Sequence, residues 1–230
     1  MFSVIIPTLN EEKNIGQLLS FFKGLNHHAL LEIIVVDGDS TDDTLEIAKQ
    51  YPVKTFLSPK RGRACQMNLG ARQASGAILF FVHADVLPPH SCFDDILAAL
   101  NDRYHYGCFA YHFSSENKWL NINSLFTRFS WMASGGGDQT LFIRKKIFES
   151  MGRFDENYCI MEDFDFIRRI KKKYPMKVIN KPAQVSARKY DQNNYLKIQL
   201  ANFLVFLLFR WGINPQFLKR IYHQMLTLNK

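Results

Sequence analysis

Ser3-Val4-Ile5-Ile6-Pro7-Thr8-Leu9-Asn10-Glu11 is an apolar, β-branched run that stops at a proline and passes into polar and acidic residues. Such a run predicts a buried strand followed by a helix, with Asn10 as its cap and Glu11 and Glu12 in a first turn whose dipole favours negative charge. The same grammar recurs over residues 31–37, after which Ser40 and Asp43 stand three apart in a capping-box pattern. Helices are expected over 11–24 and 41–50. A weaker strand over 53–57, a helix over 62–75 and the apolar run 77–82 form a third unit of the same kind. Alternating strands and helices predict an α/β fold: a Rossmann-like, mostly parallel sheet flanked by helices, with ligands at the carboxyl ends of its strands.

Beyond Asp85 the alternation breaks down. Pro88-Pro89 announces a helix, 106–113 reads as a strand, and 120–133 has the apolar pattern of a helix. Ser134-Gly135-Gly136-Gly137-Asp138-Gln139 is a glycine-rich loop before a strand at 140–143, and helices are expected over 145–151 and 162–174. The loop has no following Gly-Lys-Ser/Thr, which argues against a triphosphate-binding loop. From Asn193 the composition shifts to a long apolar helix, densest over 203–209.

The 230 residues suit one substantial domain, and 47% hydrophobic against 22% charged residues argues against disorder. A net charge of +8 calls for an anionic partner: nucleic acid, a phosphorylated substrate or an acidic membrane surface. No stacking-aromatic and basic pattern of a nucleic-acid module is present, so nucleic acid is set aside. Cys65, Cys92, Cys108 and Cys159 are widely spaced without a C-x-x-C pair, which points away from a zinc site or a disulfide framework and towards a reduced, cytoplasmic protein. The N-terminus enters its strand directly, without the pattern of a signal peptide.

Acidic residues fall at the expected carboxyl ends of successive strands: Glu11, Asp37 with Asp39, and Asp85. In an open α/β sheet these ends converge on one crevice, and a carboxylate cluster without cysteine suits Mg²⁺ or Mn²⁺, whose shell is commonly completed by substrate phosphates. For 37–43 the alternative is a turn and helix cap, and Ser40 and Asp43 are assigned to capping.

Four segments in this order carry a resemblance: residues 3–11, then Ile34-Val35-Val36-Asp37-Gly38-Asp39-Ser40-Thr41-Asp42, then Phe81-Val82-His83-Ala84-Asp85, then Met161-Glu162-Asp163. Together they resemble the motifs of the family 2 glycosyltransferases. The resemblance implies a GT-A fold over 1–190, with a donor half 1–86 and an acceptor half 87–190, followed by an amphipathic helical tail over 191–230. It further implies a nucleotide-diphosphate sugar donor, UDP-sugar favoured, a divalent metal, and inversion at the anomeric carbon. Position by position, Pro7, Thr8 and Glu11 would line the base and ribose, Asp37 would hydrogen-bond the base, and Asp39 and Ala84 would join the donor site. Asp85 matches the last aspartate of the family's D-x-D metal motif. His83 replaces the first, leaving one carboxylate where the pattern has two, so His83 is a candidate metal ligand or phosphate contact, or simply a structural residue.

Lys60-Arg61-Gly62-Arg63 resembles the family's basic stretch, with Arg63 assigned to the donor because a guanidinium forks onto a diphosphate. Glu162-Asp163 resembles the family's ED motif, which makes Asp163 the catalytic base and places Glu162 on the acceptor side; a helix N-terminus alone would also favour both acids. Asp138 is expected to contact an acceptor hydroxyl or to serve the turn.

The tail's apolar run is too short to span a bilayer, but its Phe, Leu and Trp flanked by Lys197, Arg210, Lys219 and Arg220 suit an interfacial helix. This points to a peripheral enzyme on the inner face of the membrane with a hydroxyl acceptor, lipid-linked by this reasoning; a buried helix or a homodimer contact would explain the same residues. Processive members of the family carry a Gln-x-x-Arg-Trp signature that Arg188-Lys189-Tyr190 does not match, so single-sugar transfer is expected. Two other classes compete. A nucleotidyltransferase would carry a glycine-rich basic loop where this chain has Thr8-Leu9-Asn10-Glu11. A non-catalytic, membrane-associated binder would explain the missing first aspartate, while Asp85 and Asp163 speak for activity.

Overall fold

The computed structural model describes residues 1–25, 31–113, 140–191 and 194–226. Three strand-helix units open the chain: β1 (Phe2–Thr8) and α1 (Glu12–Gly24), β2 (Leu31–Asp37) and α2 (Thr44–Lys49), β3 (Lys54–Leu57) and α3 (Arg63–Gln73). β4 (Ile78–Phe81) and the short β5 (Val86–Leu87) lead to α4 (Cys92–Asn101) and β6 (Tyr106–Phe113). Then come β7 (Leu141–Arg144), α5 (Lys145–Ser150), α6 (Glu162–Ile170), β8 (Lys177–Val185) and α7 (Arg188–Asp191). The tail holds α8 (Tyr195–Arg210) and α9 (Pro215–Met225). The expected helix over 120–133, the glycine-rich loop and Asp138 lie outside the described residues.

The described strands form one sheet in the order β3-β2-β1-β4-β7-β6-β8-β5. β1 to β4 pair in parallel, β7 runs against β4 and β6, and β8 is parallel to β6. The carboxyl ends of β1, β2, β3, β4, β6 and β8 therefore open on one edge. Both faces are covered, as the buried alternation along β1 requires: Val4 and Ile6 join Phe22, Phe80, Phe93 and Phe109 on one side, while Ile5 joins Met67, Phe81, Phe148 and Phe166 on the other. α3 lies so close to β1 that a Cβ on Gly70 would come within 2.4 Å of Ile5 Cγ2, which only glycine permits.

Besides the short β5 and α7, neither of which the sequence announces, two longer stretches depart from the sequence expectation. β8 was not anticipated, because Lys177, Lys181 and Pro182 interrupt the apolar alternation and proline argues against a central strand. The strand tolerates Pro182 through a register shift opposite Phe109 and Ala110, and β5 covers only its last residues. The tail is two helices instead of one, broken where Gly212 takes φ 76° and Pro215 begins α9; Asn194 and Asn214 cap the two N-termini.

Candidate active site

β1 and β2 are in register to their last residues, Thr8 opposite Asp37, so both chains reach the sheet edge together. Asp37 is fully buried there. Its Oδ1 accepts from the hydroxyls of Thr8 (2.9 Å) and Ser40 (2.5 Å), and its Oδ2 from the backbone N–H groups of Asp39 (3.0 Å) and Ser40 (2.7 Å). Buried Gln66 donates from Nε2 to the carbonyls of Thr8 (2.6 Å) and Val36 (2.9 Å), locking α3 to the same two strand ends. The carboxylate thus shapes the loop from within, and Asp39, held at φ 74°, is the acid that turns outward. Arg61 Nη2 meets its Oδ2 at 2.8 Å.

The loops after β1 and β2 cap each other. Backbone N–H groups of Asn10, Glu11 and Glu12 donate to Ser40 Oγ (2.9 Å), Thr44 Oγ1 (2.8 Å) and Asp42 Oδ2 (3.1 Å). In return Asn10 Oδ1 accepts from the N–H of Thr41 at 2.9 Å. This corrects the capping expectation: Asn10, at φ 55°, caps no turn of α1, and neither Asp43 nor Glu11 makes a side-chain cap at its own helix. Orphan donors at the start of α1 are satisfied across the strand gap. Burial works against the charge on Asp42, but Thr44 and the N–H of Glu12 outweigh it and hold the carboxyl below its ordinary range.

Strand order places the topological switch point between β1 and β4, where ligands of open α/β sheets bind. Glu11 follows β1 and Asp85 follows β4, so they stand on either side of that gap. Arg188 bridges them, with Nη2 2.5 Å from Glu11 Oε1 and 3.4 Å from Asp85 Oδ2. Burial opposes the guanidinium charge, while Glu11 and then Asp85 outweigh it and push its pKa up. β8 delivers this arginine. Its last residue, Val185, pairs with Val86, and the N–H of Ser186 donates to the carbonyl of Asp85 at 3.0 Å. In the turn that holds Asp85, Val86 N–H donates to His83 carbonyl at 3.1 Å and the methyl of Ala84 points into the core. Any contact Ala84 makes with a donor is therefore through its backbone.

The ED pair begins α6, after Met161 at φ 67°. Glu162 is fully buried, and its Oε1 lies 2.8 Å from Arg63 Nε at the start of α3, as an ion pair without the alignment of a hydrogen bond. This pair joins the start of α3 to the start of α6, where neighbouring Asp163 is 7% exposed. Asn68 reinforces the joint, exchanging hydrogen bonds with the backbone of Phe154 and donating to Glu156 Oε1 at 3.0 Å. Cys65 donates to Glu156 as well, and burial followed by that carboxylate pushes its thiol up to about 11, which rules it out as a nucleophile. Asp165 is committed to Arg168 and Arg169, each at 2.8 Å. Behind the ED pair, Val205, Phe209 and Leu218 of the tail pack on Tyr158, Ile160, Met161 and Phe164, and Arg168 lies over the Phe209 ring.

The structure thus gathers Thr8, Glu11, Asp37, Asp39 and Asp85 on one edge, with Pro7 buried in β1 beside them, and ties Arg63 to the ED pair. Among the described residues no group of three or more His, Cys, Asp or Glu could enclose a metal ion. One carboxylate at Asp85 with His83 two residues away fits a hard cation whose shell is completed from outside the protein, as by phosphate oxygens, and does not fit a cage built by protein alone. Arg188 was missed by the sequence reading because its strand was missed. Arg188-Lys189-Tyr190 enters the sequence reading only by comparison with the processive signature; the further signal is a basic residue just beyond the apolar Ala183 and Val185.

A dolichol-phosphate mannosyltransferase of Pyrococcus furiosus is 36% identical over 109 residues, 44% of this chain and 30% of that protein. The chain spans about a third or less of the length of the curated relatives it first matches. Among solved structures, Staphylococcus aureus TarS 1-349 with UDP-GlcNAc superposes with TM-score 0.66 at 18% identity, covering 97% of this chain and 71% of that one. A Pyrobaculum calidifontis mannosyltransferase with GDP-Man and Mn²⁺ gives 0.67 at 21% identity, covering 96% and 68%. These likenesses show a GT-A fold. The model of the family described as glycosyl transferase family 2 matches residues 3–170, and the chain belongs to that family.

Proposed function

We propose that this chain is an inverting, metal-assisted glycosyltransferase that moves a single sugar from a nucleotide-diphosphate donor, UDP-sugar favoured, to a hydroxyl of a lipid-linked acceptor at the cytoplasmic face of a membrane. The observation that supports the reading is the convergence of Glu11 and Asp85 on Arg188 across the switch point, with the Arg63–Glu162 pair tying the start of α3 to the residue before Asp163. Thr8 and the Asp37 loop shape the nucleoside side, where Asp39 faces outward to meet a ribose. The acceptor hydroxyl attacks the anomeric carbon from the face opposite the diphosphate. The new C–O bond forms as the bond to the phosphate oxygen breaks, and the hydroxyl proton passes to Asp163. Arg63 assists the leaving charge. Mn²⁺ or Mg²⁺, held by Asp85 with His83 and the donor phosphates, would supply Lewis-acid stabilisation of the diphosphate.

Calorimetry with UDP tests the donor site, with and without Mn²⁺ and on Asp85→Ala. Binding that needs both the metal and Asp85 supports the reading, and a wild type that ignores UDP and GDP alike sinks it. Asp163→Asn should lower turnover roughly 10²- to 10⁴-fold with the donor affinity kept. An active variant would refute the base assignment.

The membrane part rests on α8, where Leu196, Leu200 and Phe203 are exposed on one face, with Trp211 and Phe217 exposed nearby. Neither α8 nor α9 contains an acidic residue, and Lys197, Arg210, Lys219 and Arg220 lie close in sequence to these apolar side chains. No described helix is long and apolar enough to cross a membrane, so the attachment proposed is interfacial. Flotation with phosphatidylglycerol vesicles should carry the wild type and leave Phe203→Asp behind. A dimer that Phe203→Asp dissolves, without flotation, would assign the patch to a second copy instead.

A further inference from the structure

We propose that Arg188 receives the β-phosphate of the donor, the phosphate bonded to the sugar; the proposal rests on the donor-site reading above. Along the sheet edge the order is β2, β1, β4, so Asp37 and Asp39, then Glu11, then Asp85 succeed one another. With the nucleoside at the β2 end, the distal phosphate falls at the β4 end, where Arg188 stands.

Charge demands a cation at that point. Glu11 and Asp85 put two negative charges beside the path of a diphosphate, and like charges at close range in a protein repel far more strongly than in water. The D-x-D position supplies one carboxylate instead of two, so a metal there is held by fewer protein charges and more of the compensation falls to the protein's own cations. Arg188 is the cation that the structure sets between those two acids. Both acids meet a single nitrogen, Nη2, of a planar group with five N–H donors, whose fork matches phosphate oxygens. The backbone bond from Ser186 to Asp85 keeps the arginine's stem in register with the metal-motif turn, so the group is positioned before any ligand arrives.

The competing role is a strut that joins the turns after β1, β4 and β8 without touching ligand. Calorimetry separates the two, using UDP and UMP, and GDP and GMP in parallel, each with Mn²⁺ and with EDTA, on wild type, Arg188→Ala and Arg188→Lys. One charge-assisted hydrogen bond is worth roughly 10- to 100-fold in affinity. Arg188→Ala should therefore lose about that factor for the diphosphate while the monophosphate changes by less than about threefold, and Arg188→Lys should recover part of the loss. Equal losses for diphosphate and monophosphate, together with a lowered melting temperature, would make Arg188 a strut and overturn the proposal. A wild type that binds the diphosphate no better than the monophosphate overturns it too. A wild type that binds none of the four nucleotides removes the donor-site reading itself. Should Arg188→Ala fail to fold, the Lys variant's diphosphate-to-monophosphate ratio decides alone: an unchanged or lower ratio with Lys, which keeps the charge and loses the fork, marks respectively a strut or the fork contact.

Discussion

Asp37 and Asp39 stand two residues apart and do opposite work. Asp37 accepts four hydrogen bonds in full burial, so truncation to Ala leaves two hydroxyls and two N–H groups to find other partners. Asp37→Ala should cost about 3 kcal/mol in urea unfolding, since each unsatisfied buried polar group costs about 1–3 kcal/mol and water can reach part of the loop. Donor affinity should fall with it. Asp39→Ala removes an exposed pair with Arg61, an interaction worth about 0–1 kcal/mol, and should leave stability nearly unchanged while weakening nucleotide binding. The sequence shows that both acids lie at a strand end. It does not show which one faces inward, because the positive φ of Asp39 and the hydroxyls of Thr8 and Ser40 decide that in three dimensions. The capping residues misled for the same reason. Ser, Thr, Asn and Asp satisfy any nearby N–H, and here the nearest ones belonged to the neighbouring loop.

Among the elements, the first three strand-helix units were legible because each strand is a mostly apolar run and each helix a separate segment. β8 was not, since its side chains are mixed and its pairing partner β6 is more than sixty residues away. The tail was readable as helical and apolar but not as a brace. Phe209 packs its ring on Tyr158 and Phe164 under the cation of Arg168, so the helix that continues the chain also backs the loop that presents Asp163. Phe209→Ala should destabilise by about 3 kcal/mol, in the lower range for a buried aromatic because the site lies near the surface. Turnover should drop more than donor affinity does. Equal falls in both would show that the tail supports the whole domain and not the ED loop in particular.

At the scale of the molecule, the sheet edge opposite the crevice carries a clamp. Glu32 accepts from Ser3 Oγ (2.5 Å), the N–H of Ser75 (2.9 Å) and Lys54 Nζ (2.6 Å), tying β1, β2, β3 and the chain after α3 to one carboxylate. Burial opposes its charge, but Lys54, Ser3 and Ser75 outweigh that and lower its pKa from 4.5 to about 2. A depressed folded pKa gives stability that is complete above the unfolded value near 4.5 and lost as pH falls through about 2. The linkage amounts to on the order of 2–3 kcal/mol. Urea unfolding between pH 6 and pH 2.5 should show that loss, and Glu32→Gln should remove this part of the acid sensitivity; an unaltered pH dependence in the variant would assign it to other carboxylates. The sequence by itself determined the family, the α/β layering and the row of acids at the strand ends, because those follow from local patterns of burial, turn chemistry and motif order. Only the tertiary structure decided that Arg188 meets Glu11 and Asp85, that Arg63 holds Glu162, and that the tail backs the ED loop. Each joins residues tens to well over a hundred positions apart, and such distances close only when the strands between them are ordered in the sheet.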